Sequence, residues 1–205
     1  MQRNEIKFKL NNLNLLKFKN NTKLFSSFPD RKIFSIYFDT LNFKDFVDGE
    51  EGSVPRKKIR LRYYNSFHKN LNENKMLNGS IEIKKTFSFY REKKSINIFD
   101  TIKNSIEISK NLLNQPRYPV CAVTYCRKYY TSFSGIRITI DKDIKYYKID
   151  NHRKLILNNL EKENIVEMKI PDINNINSFE TEFLSTYRVR FSKYCEAIRN
   201  IKLIN

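Results

Sequence analysis

Glu5-x-Lys7, Glu82-x-Lys84 and Glu167-x-Lys169 repeat one pattern in three separate stretches of the chain. A fourth stretch, residues 57–64, carries Lys58, Arg60 and Arg62 at offsets of two, and single arginines, Arg127 and Arg137, interrupt two strongly apolar runs. An offset of two places side chains on one face of a β-strand. Cations repeated along one face repel each other and add little stability, so the pattern calls for an anion. Arginine is over-represented in the stripes of the central strands, although lysine is commoner in the chain, and its planar fork suits bidentate phosphate binding. Glu5, Glu82 and Glu167 supply the carboxylate oxygens that hard divalent cations prefer. These residue types suit phosphoryl transfer, which needs in-line positioning and charge neutralisation over several oxygens more than covalent help from the protein.

The elements that must position these residues read mostly as strands. Residues 3–10 alternate, with Arg3, Glu5, Lys7 and Lys9 opposite Ile6, Phe8 and Leu10. Leu13, Leu15 and Leu16 give a short helix within 11–19, and residues 26–30 carry a turn composition. Residues 31–40 form a strand buried on both sides, 41–47 a helical turn or two, and 48–53 an exposed acidic loop. After the cationic strand at 57–64 come a polar, mobile loop at 65–78 and a strand at 80–87. Ile98, Ile102, Ile106 and Leu113 share one side of a helix over 97–113, with Asn97 or Asp100 as its cap. Residues 120–131 form a long strand with Tyr125, Arg127 and Tyr129 on one face. Ser134-Gly135 turns it into a partner at 135–141, where Arg137, Thr139 and Asp141 share a face; strands at 145–149 and 164–170 follow. The tail from 178 to 201 reads as a helix in two pieces, broken near 188–191. Short connections make the sheet antiparallel.

A half-buried antiparallel sheet also places Lys and Glu on its solvated side. So many charged stripes suit a sheet closed on itself, with its charges inside and helices over the apolar outside. The expected fold is therefore α+β: seven or eight mostly antiparallel strands closed into a small β-barrel, with a charged tunnel or cleft inside and a few helices covering the outside, in a single domain over 1–205.

A net charge of +17 on 205 residues favours polyanionic partners. The three cysteines have no zinc spacing, and Cys121 and Cys126 point to opposite faces of one strand, so reduced cysteines in the cytoplasm are expected. The N-terminus has no apolar signal region, and no stretch is long and apolar enough to span a membrane. His68 and His152 lie in polar stretches and read as surface residues.

In order along the chain, Arg3-Asn4-Glu5-Ile6-Lys7-Phe8, Ser35-Ile36-Tyr37-Phe38-Asp39-Thr40, Arg60-Leu61-Arg62-Tyr63-Tyr64, Ile81-Glu82-Ile83-Lys84, Tyr125-Cys126-Arg127, Arg137-Ile138-Thr139-Ile140-Asp141, Val166-Glu167-Met168-Lys169 and Phe191-Ser192-Lys193-Tyr194 resemble the VTC domain. This is the polyphosphate polymerase branch of the triphosphate tunnel metalloenzymes, a CYTH-like superfamily. The resemblance implies an eight-stranded tunnel that binds the ATP triphosphate with Mn²⁺ or Mg²⁺ and passes the γ-phosphate to a polyphosphate or pyrophosphate acceptor. It implies that Arg60, Arg62, Lys84, Arg127, Arg137 and Lys169 act on the reacting phosphates, and that Lys7, Lys193 and Tyr125 bind phosphate. Lys58 shares the parity of Arg60 and Arg62 and stands either on that wall or at the mouth. Glu167 is the main expected metal ligand, with Glu82 and Glu5 as second choices. Arg3 stands where the wider superfamily opens with Glu, which suits the VTC branch. The regulatory SPX domain and membrane helices of the fungal proteins are absent, so the chain reads as a free-standing bacterial version, with a membrane-protein partner still conceivable. A triphosphatase is the nearest enzymatic alternative, and a polyphosphate or inositol-phosphate binding module the non-enzymatic one. Nucleic acid is the least favoured ligand, because the informative cations alternate with apolar residues on strands instead of clustering in a tail.

Overall fold

The computed structural model describes residues 4–110, 116–133, 135–170 and 185–202. Arg3, Leu113, Ser134 and residues 178–184 of the expected tail lie outside the described residues. The elements are β1 (Asn4–Leu10), α1 (Asn12–Thr22), β2 (Phe25–Asp39), α2 (Lys44–Glu51), β3 (Arg56–Tyr64), β4 (Met76–Thr86), β5 (Arg91–Thr101), α3 (Ile102–Lys110), β6 (Tyr118–Thr131), β7 (Arg137–Ile149), β8 (Leu155–Leu160), β9 (Asn164–Ile170) and α4 (Lys193–Lys202).

The antiparallel α+β class is as expected. Hydrogen bonding runs in the order β1-β9-β7-β6-β2-β3-β4-β5, with β8 beside β7. Among the described residues there are nine strands instead of eight, and no pairing closes β5 onto β1. The first half of β5, Arg91 to Ser95, is charged and exposed, a composition that keeps an edge strand from pairing further. Two other expectations fail locally. Residues 26–30 continue β2 instead of turning. Pro29 lacks an N–H but holds a backbone angle compatible with an extended chain, and Phe28 packs edge-on to Tyr129 at 6.1 Å. The loop at 65–75 is pinned: Leu71 is fully buried, its N–H donates to Arg153 O (2.9 Å), and Leu155 N–H donates to Lys69 O (2.7 Å).

The chain divides into two compact units. The first comprises Met1–Lys32, Tyr125–Ile144 and Leu160–Phe191. Here β1, β9 and the first half of β7 pair so that Ile6, Met168 and Ile138 stand opposite one another, as do Phe8, Val166 and Ile140. These residues meet Leu15 and Phe18 of α1 in one apolar cluster, while Leu13 and Leu16 face solvent. Asn11 caps α1 by accepting from Asn14 N–H (2.8 Å).

The second unit comprises Ile33–Thr124, Lys145–Asn159 and Ser192–Asn205. Its core rows are Phe34, Tyr63 and Gly79; Ile36, Leu61 and Ile81; and Phe38, Ile59 and Ile83. Ile102 and Ile106 of α3 complete this core. The expected helix at 97–113 starts only at Ile102, because Thr101 Oγ1 accepts from Asn104 N–H (3.2 Å) and so caps it there. Residues 91–101 are strand. Among the described residues no helix is long and apolar enough to cross a membrane.

Candidate functional site: two cationic sheet faces

In the second unit, the strand faces opposite the core are polar, and the register fixes their rows. Lys58, Lys84 and Lys93 stand directly opposite one another across β3, β4 and β5. The next row is Tyr37, Arg60, Glu82 and Ser95, and the one after is Ser35, Arg62, Ser80 and Asn97. A single carboxylate lies among these cations. Glu82 is 4% exposed, and its Oε2 accepts from Arg60 Nε (2.6 Å), pairs with Arg60 Nη2 and lies 3.7 Å from Arg62 Nη1. Its Oε1 accepts from Lys93 Nζ at 2.9 Å. Burial on its own would raise the Glu82 pKa; the charges of Arg60 and then Arg62, helped by Lys93, outweigh it and hold the carboxyl at about 2. Arg60 Nη1 also reaches Tyr37 Oη (3.4 Å), and Arg62 Nε donates to Ser35 Oγ (3.2 Å). Both guanidinium groups are therefore held in fixed orientations on rigid strands. Lys58 Nζ donates to Ser192 Oγ at 2.9 Å, just before α4, and Lys193 is the first residue of that helix.

The first unit carries the other expected residues. Across β1, β9 and β7 the rows are Lys7, Glu167 and Thr139, then Glu5, Lys169 and Arg137. Lys7 Nζ lies 3.1 Å from Glu5 Oε1 and donates to Phe191 O at 3.1 Å. Lys169 Nζ lies 3.5 Å from Glu167 Oε1, and Arg137 is exposed. Arg127 makes a two-pronged bond to Asp141, Nε to Oδ1 at 2.6 Å and Nη2 to Oδ2 at 2.7 Å, and stands 5.4 Å from the Tyr125 ring centroid. Asp141 is buried; burial alone would lower the Arg127 pKa, but the Asp141 charge and hydrogen bonds, together with Tyr125 and Glu167, outweigh it and hold the guanidinium charged. The Oγ1 of Thr139, beside Glu167, is buried without a hydrogen-bond partner among the described residues.

Each expected site residue thus lies on one of two sets: Glu82, Arg60, Arg62, Lys84 and Lys58, with Lys193, in the second unit; Glu5, Lys7, Tyr125, Arg127, Arg137, Glu167 and Lys169 in the first. The sequence reading missed Lys93, which sits in a charged run with no clear period, and the role of Asp141 as the partner of Arg127. It also placed His68 on the surface, whereas that side chain is 12% exposed and held by Glu73 Oε2 at 2.5 Å. All three cysteines are free, as expected.

Solved structures of similar fold span nearly the whole chain. The PH1819 protein from Pyrococcus horikoshii OT3 is 13% identical, with 98% of this chain and 99% of that one covered and a TM-score of 0.58. A candidate adenylyl cyclase from Hippeastrum, described with a dominant triphosphatase activity, is 11% identical, with 97% and 96% covered and a TM-score of 0.54. A candidate adenylate cyclase from Vibrio parahaemolyticus is 12% identical, with 96% and 97% covered and a TM-score of 0.53. Among curated proteins, none matches this chain in sequence. These likenesses establish the fold, a mostly antiparallel sheet with a few helices. The chain belongs to the VTC domain family, whose model matches residues 2–202.

Proposed function

We propose that this chain is a metal-dependent phosphotransferase that moves the γ-phosphate of ATP onto a polyphosphate chain. The observation that carries the reading is the second unit's polar face, where Arg60, Arg62 and Lys93 surround the single buried carboxylate of Glu82. Three cations against one anion leave a net positive, preoriented surface for several phosphate oxygens. Transition-state charge in phosphoryl transfer spreads over such oxygens, and fixed donors stabilise it with little reorganisation. In this reading Arg60, Arg62 and Lys84 on the second unit's face neutralise phosphate charge, and Lys58 and Lys193 bind phosphate beside them. On the first unit's face Arg127, Arg137 and Lys169 do the neutralising, and Lys7 and Tyr125 bind phosphate. One family model spanning 2–202 supports treating 1–205 as one functional domain.

A terminal phosphate is already an anionic nucleophile, whereas water needs a base. The chain's two histidines offer none on these faces: His68 is tied to Glu73, and His152 is exposed in a turn. That favours transfer over hydrolysis.

The donor set fits Mn²⁺ or Mg²⁺ in a limited way. Among the described residues no three His, Cys, Asp or Glu side chains cluster. Magnesium-type ions commonly take only one or two carboxylates, with substrate phosphates and water completing the shell. Glu167 and Glu5 fit that demand, with the Thr139 hydroxyl beside Glu167, which has no hydrogen-bond partner among the described residues. Glu82 fits less well, since both its oxygens already accept from cations. When bound, the ion would neutralise phosphate charge.

The test is purified protein with ATP and Mn²⁺ or Mg²⁺, with products separated by chain length. ADP with long-chain polyphosphate is expected, abolished by Arg62→Ala. Free phosphate alone would instead establish the triphosphatase reading, which the Hippeastrum neighbour favours. Triphosphate binding without turnover would establish a binding module.

A further inference from the structure

A buried hub closes the end of β2. Asp39 is fully buried, and its side chain accepts five hydrogen bonds, a long one of 3.4 Å from the Thr40 hydroxyl among them. Its Oδ1 takes Thr40 N–H (2.6 Å) and Asp45 N–H (2.9 Å); its Oδ2 takes Phe46 N–H (2.9 Å) and the Tyr194 hydroxyl. Asp45 and Phe46 lie in the first turn of α2, where Phe43 provides no side-chain cap. Asp39 thus caps α2 from the adjoining strand, and the helix N-terminus stabilises its negative charge. Asp45 is in turn held by Arg117 Nε at 2.9 Å.

The bond from Tyr194 connects this hub to α4. Tyr194 is 2% exposed and is the second residue of the helix. Its ring stacks on Tyr37 at 5.4 Å and meets Phe46 edge-on at 6.5 Å. Tyr37 Oη is the group that Arg60 Nη1 reaches, and Ser192 Oγ, just before the helix, is the group that Lys58 Nζ reaches. A phenylalanine at 194 would pack the same ring. Asp39 has three backbone donors without Tyr194, so the hydroxyl is not needed to satisfy the carboxylate.

We propose that Asp39 is a positioning residue: through the Tyr194 hydroxyl it fixes the first turn of α4, so that Ser192 and Lys193 present a fixed end-stop for a bound phosphate chain beside Lys58. This rests on the phosphate reading above.

The full-length chain tests it in two ways. Hydrogen exchange of the first-turn amides of α4 should accelerate in Tyr194→Phe about tenfold relative to the core strands. Tripolyphosphate affinity should fall about tenfold on Lys193→Ala in the native chain, but less than about twofold in the Tyr194→Phe background, because the lysine is already displaced there. Unchanged first-turn exchange overturns the proposal. So does a Lys193→Ala cost that is equal in both backgrounds, or absent in the native chain. A native chain that binds no tripolyphosphate sinks the phosphate reading instead, and the latch then stands or falls on the exchange result. If Tyr194→Phe does not fold, Asp39→Asn, which keeps the shape and an acceptor oxygen, carries the same two measurements.

Discussion

Replacing Glu82 by glutamine removes one charge and keeps the shape, at the only position where a buried carboxylate meets Arg60, Arg62 and Lys93 together. The Glu82 carboxyl is held at about 2 instead of 4.5, which corresponds to about 3 kcal/mol of favourable interaction in the folded protein at neutral pH. A lowered carboxylate pKa stabilises the fold fully above the unfolded value, and that stability is lost as pH falls towards the folded value. The native chain should therefore exceed Glu82→Gln by about 3 kcal/mol at pH 7, or about 6–12 °C in Tm for a chain of this length. The gap should shrink as pH drops from about 4.5 past about 2. The binding side has the opposite sign. Without the carboxylate, Arg60, Arg62 and Lys93 lose their shared counter-charge, so tripolyphosphate should bind the variant about tenfold more tightly and rescue its Tm more strongly. Thermal unfolding across pH 2–7, with and without tripolyphosphate and with a chelator present, reads both effects. Equal Tm values at pH 7, or weaker tripolyphosphate rescue in the variant, would refute the assignment of Glu82 as the neutralising partner of this face.

Arg127→Ala leaves Asp141 buried without its two-pronged partner and should cost about 3–5 kcal/mol in urea unfolding, with the Arg127→Met, Asp141→Leu pair recovering most of it. Glu167→Gln should raise the Mn²⁺ concentration needed for half-maximal turnover without changing Tm by more than a few degrees, since it keeps the side chain's shape and its ion pair, 3.5 Å to a partly exposed Lys169, is of the weak kind. Gly79→Ala would place a Cβ 2.6 Å from Tyr63 Cε1 and 3.2 Å from the Arg62 carbonyl, so it should destabilise the chain by about 1–3 kcal/mol in the same unfolding assay.

Strand existence was legible wherever one face is apolar and the other charged. Residues 164–170 and 57–64 read as strands within one residue of β9 and β3, because burying alternate side chains fixes both type and register. β5 was not legible because Ile98, Ile102 and Ile106 satisfy helical spacing, while Ile96 and Ile98 also satisfy alternation. The local capping by Thr101 decides the boundary. β8, Leu-Ile-Leu-Asn-Asn-Leu, has no alternation and leaves Ile156 and Leu157 exposed, so neither period marks it. Of the candidate site residues, the strand cations other than Lys93 were visible from parity. The pairings with their counter-charges were not, because Glu82 meets Lys93, and Asp141 meets Arg127, only through registers that depend on intervening turns.

The placement of the carboxylates says what kind of ligand these faces suit. A face built only for stability would alternate signs across neighbouring strands, where opposite charges directly opposed contribute favourably. Here Lys58, Lys84 and Lys93 share one row, and like charges so opposed destabilise the sheet. Glu82 lies one row away; it accepts from Lys93 at the β5 end of that lysine row and orients Arg60 and Arg62. A ligand with a single phosphate would engage one of these positions and leave the lysine row in mutual repulsion. Successive rows on a strand lie about 7 Å apart, so a ligand with several linked phosphates can engage the arginine and lysine rows together and relieve that repulsion. Under the proposed function, the face is expected on electrostatic grounds to select for length as well as charge. Tripolyphosphate should accordingly compete far better than the same concentration of phosphate groups supplied as orthophosphate.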